Sequence, residues 1–391
     1  MDDKREERSQ RNRAGRYVRQ SAGYRAFMPA PLPPDPPINI EGELQDRLSR
    51  ADLALGRLDG SIQTLPNPEL FMYMYVRKEA VLSSQIEGTQ SSLQDVLKAE
   101  AKILRSDHPS DVREVINYVD AMYYGLDRLE ALPVSIRLIR EIHERLLQGV
   151  RGSDLTPGQL RTSQNWLGPG GCTLKDAVFV PPPPGAVNQC LGDLEEFIHG
   201  ERDLPLLVKV GLAHAQFESI HPFLDGNGRV GRLMITFLLC EQGVLQKPVL
   251  YLSHYLKEHR QEYYDRLQSI RDSGAWEEWL GFFLQGVAQV STQATDTARR
   301  ILALREEHRR SIMEGLGRAA GNGHRVLESL YSSPIVSVKD VRKITGTSYP
   351  AANNLVARLA DMGILFEFTG QSRNRRFMYL DYVNLFADTS V

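Results

Sequence analysis

The sequence predicts a mainly α-helical protein: a helical body carrying one short β-hairpin flap, followed by a winged helix-turn-helix domain. Three observations lead there. From Glu43 onward, apolar residues recur at three- and four-residue spacing through segment after segment. Between Pro157 and Pro184 that period gives way to Gly- and Pro-rich sequence with "AVFV" as its only β-like run. Beyond Asn322, three short helical segments lead into an alternating strand pair.

Taken in order, residues 1 to about 22 are polar and charged and read as flexible, and "MPAPLPPDPPINIEG" reads as an extended Pro-rich strap. The segment Asn67 to Ile86 begins with Pro near its first turn and stops before Gly88, both helix boundaries. "LQDVLKAEAKIL", "REVINYVDAMYYGLDRL" and "SIRLIREIHERLLQGV" continue the helical period. After the Gly/Pro-rich insertion, helices resume over Asn188–His199, Pro205–Ile220 and Leu233–Cys240. "KEHRQEYYDRLQSIRDSG" and "WEEWLGFFLQGVAQV" complete the body, and a charged helix beginning "STQATDTARR" leads away from it. In the tail, Ser337 with Asp340 fits an N-terminal capping box and Gly346 a C-terminal cap. "ILFEFTGQSRNRRFMYL" turns at Thr369-Gly370 as the wing.

Composition narrows the class. A formal charge of -2 over 391 residues gives no global bias toward nucleic acid or membrane. The charged start is unlike a signal peptide, and no apolar run is long enough to span a bilayer. Cys172, Cys190 and Cys240 are odd in number and lack metal-type spacing, so a cytoplasmic protein with reduced thiols is expected.

The densest chemistry lies in "HPFLDGNGRVGR", His221 to Arg232, at the N-terminus of an apolar helix. "DGNG" alone is a common turn, and a histidine before proline often only caps or packs. A calcium loop is excluded, since counting from Asp225 its sixth and twelfth positions fall on Val230 and Thr236. The whole stretch fits one task better. Gly226 and Gly228 let backbone N–H groups converge on an anion at a helix N-terminus, and Asn227 adds an amide. Arg229 and Arg232, three apart, offer guanidinium forks for phosphate oxygens. Asp225 suits Mg²⁺, which takes one or two carboxylates plus phosphate oxygens. His221 can accept a proton from an attacking hydroxyl near neutral pH.

Position by position, "HPFLDGNGRVGR" resembles the signature of the Fic (filamentation induced by cyclic AMP) family: His, any, Phe, any, Asp or Glu, Gly-Asn-Gly-Arg, two of any, Arg. The resemblance extends over roughly Glu43 to Val290 and implies a Fic-type helical core that transfers AMP from ATP to a protein hydroxyl. It implies His221 as general base, Asp225 on Mg²⁺, the Gly226-Asn227-Gly228 turn on the α-phosphate, and Arg229 and Arg232 on the β- and γ-phosphates. Phe223 is implied as a core anchor. "AVFVPPPP" resembles the family's flap, which docks a target strand along Val178, Phe179, Val180 and Pro181; read by itself it is equally a surface hairpin. "EYYDRL" resembles the adenine-side segment, so Tyr263, Tyr264 and Arg271 are candidate nucleotide contacts, with a packed aromatic pair as the other reading of Tyr263. "SSQIEG" resembles the family's inhibitory motif, in which Ser83 and Glu87 share a helix face and Glu87 pairs with Arg232; a solvated helix-end carboxylate is the alternative.

The expected organisation is a flexible arm over 1–42, Fic N-terminal helices with the inhibitory motif over 43–110, a catalytic core over 111–290, a linking helix over 291–320 and the winged helix over 321–391. The expected activity is autoinhibited protein adenylylation with ATP and Mg²⁺, on a Ser, Thr or Tyr hydroxyl of a target protein, without membrane attachment and with self-modification, DNA contact through the winged helix and a homodimer left open. The alternatives are a DNA-binding regulator whose core senses nucleotide, and a Fic enzyme that transfers another phosphate-containing group or removes AMP. From Gly321 to Val391, eight Lys/Arg face six Asp/Glu, a net of +2 and weak for a DNA binder, although Arg373, Arg375 and Arg376 cluster on the wing.

Overall fold

The computed structural model describes residues 13–63, 68–101, 110–200 and 203–387. The residues before 13 and the position Asn67 lie outside that set, as does "KIL" of the segment after Ser92.

Helix α1 (Glu43–Gln63) buries Leu44, Leu48, Ala51, Leu55, Leu58 and Ile62, a stripe at alternating four- and three-residue steps. That stripe lies along α11 (Trp276–Leu316). Helix α2 (Pro68–Ile86) differs: from Met72 to Ser84 every residue but Tyr73 is buried, so it runs through the core rather than over it. Helix α3 (Leu93–Glu100) opens with a capping box formed by Ser92 and Asp95. Helices α4 (Ser110–Leu129) and α5 (Ile136–Leu146) pack together, and α4 also packs on α2. Then come α6 (Pro184–His199), α7 (Leu206–Ile220) and α8 (Asn227–Glu241), with α7 and α8 almost entirely buried and packed on each other. Short α9 (Ser253–Glu258) and α10 (Arg260–Ser273) lead into α11.

Two expectations change. The arm is not flexible throughout: β1 (Gly15–Arg19) and β2 (Arg25–Pro29) pair antiparallel, from Gly15 opposite Pro29 to Arg19 opposite Arg25. Burial of Ala14, Ala26 and Phe27 is the reason, and because Ala26 and Phe27 are consecutive, β2 buries side chains on both of its faces. The expected linking helix is likewise not separate. Nothing between Val290 and Ser291 breaks the period, and α11 runs unbroken for 41 residues.

After a 3₁₀ turn (Gly317–Ala319) the chain forms α12 (Ala320–Ser332), β3 (Ile335–Ser337), α13 (Val338–Thr345) and α14 (Tyr349–Asp361). Then follow β4 (Phe366–Glu367), β5 (Arg376–Met378) and α15 (Leu380–Asn384). The strands form one antiparallel sheet in the order β3-β5-β4. Ser337 and Asp340 make the anticipated capping box, and Gly346 closes α13 at φ 69°. This C-terminal unit packs on α2, where the Phe386 ring meets Tyr75 edge-on at 5.1 Å.

Candidate active site

The site is built where α7 ends and α8 begins. His221 closes α7 in the left-handed region, φ 48° and ψ 61°, its N–H donating to the Phe217 carbonyl. Its own carbonyl accepts from Arg161 Nε at 2.9 Å and Asn165 Nδ2 at 3.3 Å. Burial, then the charges of Arg271 and Arg161, push its pKa down to about 3, so at neutral pH the imidazole is neutral and retains a lone pair.

The loop that follows is held from inside. Asn227 Oδ1 accepts from the Phe223 N–H at 2.8 Å, and Asn227 Nδ2 donates to the Phe223 carbonyl at 2.9 Å. The Asn227 side chain therefore staples the loop instead of facing an anion, a correction to its expected role. Phe223 is fully buried and stacks on His143 with centroids 3.7 Å apart. Gly158 N–H donates to His143 Nδ1 at 2.8 Å, which leaves Nε2 to carry the proton and donate to the Asp225 carbonyl at 2.9 Å.

Gly226 begins α8 at φ 79° with no side chain capping it, so the first N–H groups of that helix lack an intrahelical partner. Over them lies Glu87. A Cβ on Gly228 would sit 2.3 Å from Glu87 Oε1, so only glycine admits the carboxylate there. Arg232 is bound wholly to the end of α2: Nε to Ser83 Oγ at 2.8 Å, Nη2 to the Ser83 carbonyl at 3.0 Å, and Nη2 to Glu87 Oε1 at 2.7 Å. Burial alone would raise the Glu87 pKa, but the Arg232 guanidinium outweighs it and holds the carboxyl below its ordinary value.

Arg229 departs from expectation. Its side chain is fully buried, with Nη1 on Glu114 Oε2 at 3.1 Å and Nη2 3.7 Å from Asp225 Oδ1. Arg229 and Arg232 thus reach toward different helices, Arg229 to α4 and Arg232 to α2, and Arg229 braces the turn from beneath. Asp225 is 30% exposed and its Oδ1 accepts the Gly226 N–H at 2.7 Å.

Residues 45–127 match the family described as Fic/DOC family N-terminal, and residues 133–239 match the Fic/DOC family itself. The chain carries a Fic/DOC N-terminal region and a Fic/DOC domain. Among its relatives, the "Probable protein adenylyltransferase" of Aquifex aeolicus (strain VF5) is 29% identical over 180 residues, 45% of this chain and 52% of that protein. The "Protein adenylyltransferase Fic" of Aedes aegypti is 32% identical over 137 residues, 34% of this chain and 24% of that protein. The chain therefore spans about half the length of the first relative and a quarter of the second. The crystal structure of a Fic family protein from Desulfovibrio desulfuricans G20 shares the fold, with a TM-score of 0.56 at 18% identity, covering 88% of this chain and 97% of that one.

In this Fic chain two peripheral assignments also change. Arg271 does not stand open to a nucleotide: it is buried 3.7 Å above the Phe179 ring and bound to Ser219 Oγ and the Glu218 carbonyl, both at 3.3 Å. Of the flap residues only Val178 is exposed, while Phe179, Val180 and Pro181 are buried, and the Val180 carbonyl already accepts the Phe27 N–H of β2 at 2.8 Å. The hairpin that the sequence reading missed is what covers this edge. Tyr263 is a packed core residue whose hydroxyl meets His214 Nε2 at 2.9 Å, whereas Tyr264 is 38% exposed. The sequence reading also missed His143, Glu114, Arg161 and Asn165. "TPGQLRTSQNW" carried a signal in its two polar side chains, Arg161 and Asn165, that follow a Pro-Gly turn; His143 and Glu114, inside amphipathic helices, carried none.

Proposed function

We propose that the chain is a protein adenylyltransferase that transfers AMP from ATP to a Ser, Thr or Tyr hydroxyl of a target protein, itself included, and that Glu87 holds it inactive. The observation that carries this is the Glu87 carboxylate bound to Arg232 at 2.7 Å directly above Gly228. An anion seated on a helix N-terminus and an arginine marks where a phosphate group belongs. The relatives named protein adenylyltransferases supply the chemistry of the transfer.

In the transfer, the target oxygen bonds to the α-phosphorus, the bond to the bridging oxygen breaks, and pyrophosphate leaves. The hydroxyl proton passes to the neutral His221 ring. N–H groups at the start of α8 stabilise the charge that develops, and Arg232, once free of Glu87, grips the terminal phosphate. Asp225 fits a role in holding Mg²⁺, being a partly exposed hard-oxygen ligand at the lip of the cradle. Among the described residues no group of three His, Cys, Asp or Glu side chains is placed to hold an ion, so Asp225 would hold Mg²⁺ together with the nucleotide's phosphate oxygens, in the way Mg²⁺ usually binds. Bound there, Mg²⁺ would supply charge neutralisation for the polyphosphate.

We read residues 321–391 as a winged helix-turn-helix used for protein docking. Two wing arginines are engaged internally, Arg375 with Asn353 Oδ1 at 2.9 Å and Arg376 with Asp340 at 3.3 Å, so neither guanidinium is held out toward a phosphate backbone. No described helix is long and apolar enough to cross a membrane. We place the chain in the cytoplasm, a reading supported by its three unpaired cysteines.

The test is the Glu87→Gly chain incubated with ATP labelled at the α- or the γ-phosphate. AMP transfer puts only the α-label on protein. Protein carrying the γ-label, or neither label, would refute the reading.

A further inference from the structure

Four consecutive carbonyls around the base are bound from one short segment at the root of the flap. Arg161 Nη2 reaches the Ile220 carbonyl at 3.4 Å and Arg161 Nε the His221 carbonyl at 2.9 Å. The Arg161 backbone N–H takes the Pro222 carbonyl at 3.0 Å, and Asn165 Nδ2 bridges the carbonyls of His221 and Phe223 at 3.3 and 2.8 Å. These are the residues where the chain leaves α7 through a left-handed histidine. A non-glycine side chain at φ 48° is strained, and such a backbone persists only where surrounding contacts over-determine it. Here those contacts are visible.

Arg161 itself is unusual. It is 3% exposed, yet among the described residues no carboxylate pairs with it, and every acceptor of its guanidinium is a backbone carbonyl. A buried cation without an anion is unfavourable, and an apolar side chain of similar volume would fill the space at less cost. What an apolar side chain cannot supply is several N–H donors in one rigid plane. One of those donors also leaves the loop: Nη2 binds the Pro182 carbonyl at 2.5 Å, beside the Pro181 carbonyl that Gln164 Nε2 holds at 3.0 Å. The same guanidinium therefore touches the base's backbone and the end of the flap.

We propose that Arg161 and Asn165 are positioning residues: they fix His221 in its left-handed conformation and tie it mechanically to the flap, so that the base is set when the flap is in place. This rests on His221 acting as the base in the proposed transfer. The prediction is a change in turnover without a change in nucleotide affinity, because neither side chain reaches the phosphate cradle. A small misplacement of a catalytic group costs about a hundredfold at the upper end.

The experiment uses the full chain with Glu87→Gly as parent and adds Asn165→Ala or Arg161→Lys. Lysine keeps the charge but not the fork, so it should not rescue. We expect kcat to fall by about 10- to 100-fold with KM for ATP unchanged. Retention of kcat within about twofold in Asn165→Ala, the milder change, would overturn the proposal whether or not Arg161→Lys folds. Independently of activity, the imidazole resonance of His221, identified by its loss in His221→Ala, should shift or broaden in Asn165→Ala. An unmoved resonance overturns the proposal even if the parent transfers no AMP, whereas a parent without transfer and a displaced resonance would refute only the function.

Discussion

Replacing Glu87 with Gly tests the site most directly. The perturbation is confined, because Glu87 lies just beyond the last residue of α2 and its side chain is 30% exposed, so the change removes no packed core. It deletes one charge-assisted hydrogen bond, Glu87 Oε1 to Arg232 Nη2 at 2.7 Å, and clears the carboxylate from above Gly228. Hydrogen bonds to charged groups contribute about 1.5–3 kcal/mol net, which a γ-phosphate must otherwise displace before ATP lies in register. Converted at about 1.4 kcal/mol per decade, the release is worth roughly ten- to a hundredfold in rate. Ser83 remains on Arg232 Nε at 2.8 Å, so the guanidinium keeps its orientation while its outer nitrogen is freed. The assay is self-modification with α-labelled ATP in wild type, Glu87→Gly, and Glu87→Gly with Arg232→Ala. The single variant should label at least about tenfold faster, and the double variant should lose that gain. Equal rates in wild type and Glu87→Gly would refute the competition for Arg232.

His221→Ala in the Glu87→Gly chain should lower transfer by about 10²–10⁴-fold while ATP binding, measured by calorimetry, is unchanged; near-full transfer would remove His221 as base. Asp225→Ala should shift the Mg²⁺ titration of activity to higher concentration, and a titration matching the parent would dismiss the metal role. Acid should act late on stability. Burial holds His143 at about 4 and His214 and His221 at about 3, so as pH falls below 6.5 the unfolded chain takes protons the fold refuses, which destabilises. Burial raises Glu79 and Glu218 to about 7, so between 7 and 4.5 the fold takes protons first, which stabilises. The two sets nearly offset down to pH 4.5, below which the histidines act together with carboxyls that their partners hold low, Glu87 beside Arg232 and Glu141 beside Tyr124 and Arg128 among them; urea midpoints should be flat from 7 to 4.5 and then drop, and a steep loss by pH 5.5 would contradict these environments.

Much of this was legible because it is local. The turn "DGNG", the capping box at Ser337 and the helix stops at Gly88 and Gly346 depend on neighbours in sequence, and they stand in the structure where the pattern put them. What failed depends on distant partners. Arg229 looks like a second phosphate ligand until Glu114, in another helix, takes its guanidinium. Asn227 looks like a free amide until the loop closes on Phe223. The hairpin over Gly15–Pro29 was hidden by its charged surroundings: only the body that buries Phe27 makes "YVR" and "RAFM" worth pairing. The same hairpin then altered the flap, whose edge cannot be judged from "AVFV" alone.

If Glu87 inhibits as proposed, the packing of α2, whose end it adjoins, decides how that inhibition would be relieved. An inhibitory segment lying on the surface can swing away, since its amphipathic face is all that holds it. Helix α2 is enclosed instead. Tyr75 is fully buried, its hydroxyl on the Ala294 carbonyl of α11 at 2.8 Å and its ring against Tyr251 and Phe386. Glu79 accepts from the Ser253 N–H at 3.1 Å and from Tyr118 Oη at 3.2 Å. Each buried large apolar side chain on such a helix contributes about 1.5–3 kcal/mol, and Met72, Met74, Tyr75, Val76, Val81, Leu82 and Ile86 are all buried, so undocking α2 would cost roughly 10–20 kcal/mol, on the order of a whole domain's usual stability of about 5–15 kcal/mol. ATP competing for Arg232 supplies far less. Relief therefore has to come from the end of the helix, where Gln85 and Glu87 are only partly buried and Gly88 is exposed at φ 97°. There the Glu87 side chain can leave Arg232 while the buried contacts of α2 stay made, so a single glycine substitution is expected to imitate release.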